Sequence, residues 1–115
     1  MADYLVLVGD GSFNFSNYLN AAEYLEQLAE QGIAKVVHTA MSVGHDENIT
    51  RSVHRISGED GLTKKVMALV NNHSVPHSAL VARVLDPGRV AQIAKGEGVP
   101  QTVSGNYRLS VISSD

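Results

Sequence analysis

The chain has 115 residues, a formal charge of −3 and no cysteine; hydrophobic residues make up 43% and charged residues 18%. Such a composition excludes disulfides, thiolate zinc sites and a chain too polar to bury a core, and the length suits one domain, residues 1–115. Nine basic residues, of which only Lys64-Lys65 are adjacent, supply no phosphate-gripping face, so nucleic acid is not an expected partner. No apolar run approaches a membrane span and no basic-then-apolar leader opens the chain; a cytoplasmic location, or a particle assembled there, is the expectation.

In chain order, Tyr4 to Val8 predicts a short apolar strand. Gly9-Asp10-Gly11 follows. A dinucleotide loop needs Gly-x-Gly-x-x-Gly, but Asn14 holds the third glycine position, and the lysine of a phosphate loop is missing. Ser12, Asn14 and Ser16 alternate with Phe13 and Phe15, so a hairpin or tight loop is expected. Asn17 to Gln31 predicts the long helix. Tyr18, Ala22, Leu25 and Ala29 repeat at helical spacing, Ala21 and Leu28 widen the stripe, Ser16 or Asn17 caps the start, and Gly32 is the left-handed stop.

Lys35 to Val43 predicts the second strand. Ile49, Val53 and Ile56 then fall at i, i+4 and i+7, giving a short helix over about 47–57 with Asp46 as N-cap and Gly58 at its end. Leu62, Val66, Leu69 and Val70 predict a further helix over 62–72. Asp86-Pro87-Gly88 reads as a turn with positive φ at Gly88, joining strands over 79–85 and 89–94. Residues 96–105 read as a loop, and Asn106 to Ser113 as a last strand. The expected fold class is α/β: one mixed sheet with two to three helices, ordered strand-helix-strand-helix-helix and then a β-meander.

Chemistry-bearing residues are few. His38, His45, His54, His73 and His77 lack the spacing of a zinc motif, so no metal and no cofactor are expected. "VGDGSFNFS" resembles the opening motif of a group of Rossmann-type RNA methyltransferases, but the chain is too short for that fold, and no activity is carried over. "VVHTAM" and "VPHSAL" are similar to the paired His-x-Ser/Thr motifs of two-histidine phosphoesterases. Here the hydroxyl follows His directly and falls on the opposite strand face, which breaks that geometry. The element order resembles the Alba chromatin proteins, without their basic loop.

"SVGHDENIT" joins a strand to a predicted helix start, where backbone N–H groups favour anions. It resembles the "GHD" segment of viral ring nucleases that cleave cyclic oligoadenylate, with "FNFSNYL", Val75-Pro76 and "QIAKGEG" in compatible order. That resemblance implies His45 as the catalytic residue; separately, a helix beginning at Gly44-His45-Asp46 would offer its N–H groups to a phosphate-containing ligand, with Ser12, Ser16 or Arg89 as the hydroxyl or basic group expected within reach. The Asn-Ala-Phe-Ser opening is not intact, the Arg-Leu before the late Glu-Gly is missing and the helix over 62–72 reads as an insertion, so the favoured reading is Asp46 as a plain helix cap and His45 as a solvated loop residue.

Two functions follow as expectations. The first is a small non-enzymatic domain acting through self-assembly or partner binding, such as a viral or phage accessory or structural protein. Its apolar edge strands predict a homo-oligomer. The second is a metal-independent phosphodiesterase of ring-nuclease type acting through His45.

Overall fold

The computed structural model describes residues 3–9, 15–43, 65–66 and 77–113. Their order is β1 (Asp3–Gly9), α1 (Phe15–Glu30), β2 (Ala34–Val43), β3 (His77–Val84), α2 (Pro87–Ala94), α3 (Gln101–Asn106) and β4 (Tyr107–Ser113). The fold is α/β, a four-stranded sheet in the order β2-β3-β1-β4 with helices packed on it. Every strand pair is antiparallel. β1 and β2 both run against β3, so they are parallel to each other with β3 between them, and α1 makes the crossover. This is the split β-α-β arrangement of ferredoxin-like topology.

β1 forms because Leu5 and Leu7 face one way while Tyr4, Val6 and Val8 face the other, and all five are buried. Leu5 and Leu7 pack with Leu80 and Ala82 of β3, with Ala21, Tyr24, Leu25 and Leu28 of α1, and with Val90, Ile93 and Val103 of α2 and α3. Tyr4, Val6 and Val8 pack with Ala79, Val81 and Val66. Val66, from the connection between β2 and β3, therefore reaches the second face of the sheet, and neighbouring Lys65 donates its Nζ–H to the carbonyl of Ser113.

α1 ends as its sequence dictates. Gly32 has φ +72°, the Ile33 N–H donates to the Leu28 carbonyl at 2.9 Å, and the Gly32 N–H donates to that of Ala29 at 3.1 Å. This is a Schellman closure, with Ile33 and Leu28 both in the core as its apolar contact. The Ile33 carbonyl then accepts the N–H groups of Leu85 and Asp86 at 2.9 and 3.0 Å, which fixes the end of β3 against the end of α1.

Several expectations change. Both edges of β1 are taken by β3 and β4, and the next described element is α1; the hairpin or tight loop expected at Gly9-Asp10-Gly11 falls on residues 10–14, which lie outside the described residues. Helix α1 begins at Phe15, so Ser16 and Asn17 sit in its first turn rather than at its cap. The buried stripe is Ala21, Tyr24, Leu25 and Leu28; Tyr18 and Ala22 are half-buried and Ala29 is exposed.

The largest correction is at Asp86-Pro87-Gly88, which starts a helix, not a hairpin. Asp86 is extended, and its Oδ1 accepts the Arg89 N–H at 3.2 Å, while Pro87 occupies the first helical turn. Gly88 has no positive φ. Val90 and Ile93 are the buried residues of this helix, at i and i+3, so residues 89–94 pair with no strand. Within 96–105, expected as loop, Gly96 and Gly98 make positive-φ turns and α3 then begins at Gln101 with Val103 buried. The meander is thereby replaced by β3, two helices and β4. The helix expected over 47–57 lies outside the described residues; of that expected over 62–72, Lys65 and Val66 are described and helical, with Val66 buried as expected.

Candidate functional site

Two features of the described surface have the chemistry to recognise something. The first is the outer edge of β4. Among the described strands β4 pairs only with β1, in an unbroken register from Asp3↔Ser113 to Gly9↔Tyr107. Leu109 and Val111 lie opposite Leu7 and Leu5, so they point to the helix-bearing face. Leu109 packs against the core there, whereas Val111 is 41% exposed. Arg108 is exposed on the other face, beside half-buried Ser110 and Ile112.

The second is a groove of about 310 Å³ between the C-terminal half of α1 and α2 with its following turn. Leu28, Ile33 and Ile93 give it apolar walls, Gln27, Gln31 and Gln92 line it with neutral amides, and Arg89 and Glu97 line it with charges of opposite sign. Two helix ends shape it. α2 closes through Gly96 (φ +90°), with the Gly96 N–H on the Ile93 carbonyl at 2.8 Å and the Glu97 N–H on that of Gln92 at 3.2 Å. This second Schellman closure brings Glu97 back beside the helix that carries Arg89. Tyr24 also lines the groove. Its hydroxyl is, among the described residues, the buried side-chain oxygen with no hydrogen-bond partner, and burial pushes its pKa above the ordinary tyrosine value.

Of the residues singled out in the sequence, Ser12, Gly44, His45 and Asp46 lie outside the described residues. Ser16 is exposed in the first turn of α1. At 1.5 Å per residue it stands about 16 Å along the helix from Gln27, and Ser16 is not among the residues that line the groove with Arg89. Tyr24 lies outside the apolar stripe that the sequence predicts through Tyr18, Ala22, Leu25 and Ala29. The spacing Ala21, Tyr24, Leu25, Leu28 carries an equally good helical period and would have found it.

Among the described residues no cluster of three or more His, Cys, Asp or Glu could hold a metal ion, and no helix is long and apolar enough to cross a membrane. No family model, curated protein or solved structure matches the chain.

Proposed function

We propose that the protein is a non-enzymatic assembly domain that pairs with a second copy of itself through the outer edge of β4. The observation that carries this reading is the place of β4 as the last strand of the described sheet, in unbroken register with β1, with Val111 exposed one residue from its centre. Two β4 strands placed antiparallel about a two-fold axis through Ser110 overlap over their full length. Leu109 of one copy then faces Val111 of the other, twice, Arg108 faces Ile112, and Tyr107 faces Ser113. This is the self-complementarity that a closed two-fold interface requires, and it extends the sheet from four strands to eight with new main-chain hydrogen bonds. Pairing also covers Val111, whose exposure is otherwise an aggregation liability at a flat edge.

Light scattering on the purified chain tests the reading. The expected mass is twice 12.3 kDa at micromolar protein, falling to 12.3 kDa in Val111→Lys, which places like charges near the strand centre of both copies. A wild-type mass of 12.3 kDa refutes it.

A further inference from the structure

The groove between α1 and α2 combines two features that folding alone leaves without a purpose. Tyr24 is 5% exposed, yet its hydroxyl has no partner among the described residues. A buried hydroxyl without a hydrogen bond opposes folding, and phenylalanine would fill the same volume without that penalty. Arg89 and Glu97 line one small groove, both exposed, and neither side chain forms an ion pair among the described residues. A guanidinium and a carboxylate that line the same groove without an ion pair among the described residues are open to a ligand that carries both opposite charges.

The remaining walls narrow the chemistry. Gln27, Gln31 and Gln92 are neutral hydrogen-bonding groups, so the formal charge of the groove sums to zero. Phosphate-rich ligands need several cations, and Arg89 is the one cation among the lining residues. Leu28, Ile33 and Ile93 offer an apolar surface, and about 310 Å³ is at the small end of ligand pockets. We propose that this groove binds a small zwitterion with an apolar side chain, of free amino-acid type: its carboxylate on the Arg89 guanidinium, its ammonium on the Glu97 carboxylate and its side chain on Leu28, Ile33 and Ile93. Gln27 and Gln31 follow Tyr24 at i+3 and i+7 on the same side of α1. A rotamer change in one of these exposed amides, on ligand arrival, supplies the missing partner of the Tyr24 hydroxyl. The groove lies on the helical layer and the proposal does not depend on β4 pairing.

The test is an amide chemical-shift titration of the full chain with L-leucine, L-leucinamide and N-acetyl-L-leucine. L-Leucine should give saturable shifts centred on Arg89, Gln92 and Gly98. Leucinamide lacks the carboxylate and acetyl-leucine the ammonium, so each should bind roughly tenfold more weakly, the loss of one charge-assisted contact. Arg89→Gln should weaken leucine by the same factor and abolish the discrimination against leucinamide; Glu97→Gln should do so for acetyl-leucine. Both side chains are exposed, so these variants keep the fold. Tyr24→Phe should weaken leucine without lowering the melting temperature. Absence of saturable shifts, equal binding of all three compounds, or displacement of leucine by inorganic phosphate alone would each overturn the proposal.

Discussion

The two edges of the sheet are built differently. β2 presents ten residues to the eight of β3, and its register slips between Val36 and His38 and again between His38 and Met41. Each slip places an extra residue in β2, a bulge that bends and twists an edge away from another flat strand. β4 does the opposite. Its seven pairs with β1 run without a shift, and one residue from its centre Val111 is exposed. One edge is defended and the other is regular and apolar. Among the described strands, this difference is the reason β4 rather than β2 is proposed as the edge that takes a second copy.

The middle of the sheet sets the scale against which the edges are judged. Leu7 of β1 is 0% exposed and sits in the main cluster. Leu7→Ala should lower unfolding free energy by about 2–5 kcal/mol in urea melts, through lost burial and the cavity left behind. A loss below about 0.5 kcal/mol would mean that the sheet is not the core of the molecule, and the contrast between its edges would lose its footing.

Two glycines provide the next test, because each belongs to a helix end that holds the sheet in place. Gly32 has φ +72° and a Cβ there would meet nothing within 4 Å, so Gly32→Ala should cost about 1–2 kcal/mol from backbone conformation alone. Gly88 is in the first turn of α2 at ordinary φ, and a Cβ there would meet Asp86 Oδ1 at 3.6 Å, an unstrained contact. Gly88→Ala should therefore stabilise by about 0.4–1 kcal/mol. Opposite signs in thermal melts support the two assignments; a destabilised Gly88→Ala would restore the turn in place of the helix.

This pair of glycines also shows how far the sequence could be read. Gly32 follows a long apolar period, and period and stop agree. Asp86-Pro87-Gly88 is ambiguous, since aspartate then proline suits both a turn and a helix N-terminus. The residues after it decide the matter. Strand alternation over 89–94 would place Val90 with Gln92 and Ile93 with Ala91, whereas helical spacing joins Val90 to Ile93, the pair that is buried. α3 was harder, because glycines and Pro100 surround a helix of only six residues whose one buried apolar side chain is Val103. The groove was not legible at all: Tyr24 is far in sequence from Arg89 and Glu97, and the three line one groove only because α2 stands beside α1 in place of the expected hairpin.

Alkaline titration gives a smaller effect. The Tyr24 pKa is raised above 10.0 by burial, so the unfolded chain releases this proton at lower pH than the folded one. The contribution of Tyr24 is intact below pH 10.0 and is lost as pH rises through the higher folded value. Tyr24→Phe should reduce the loss of stability above pH 10.0, and an unchanged profile would indicate that the hydroxyl is hydrated. For the assembly reading, incubation with cyclic oligoadenylate should give no turnover; turnover lost in His45→Ala would favour the ring-nuclease alternative.

At the edges, Val111→Lys should change the unfolding free energy of the isolated chain by less than about 0.5 kcal/mol, while Lys35→Ser on β2 should leave the mass unaltered. The most direct measurement is the mass of the wild-type chain and of Val111→Lys by light scattering across micromolar concentrations. A dimer of 12.3 kDa chains that becomes a folded monomer in the variant is the predicted result. A wild-type monomer, or a dimer indifferent to Val111→Lys, would contradict assembly through β4.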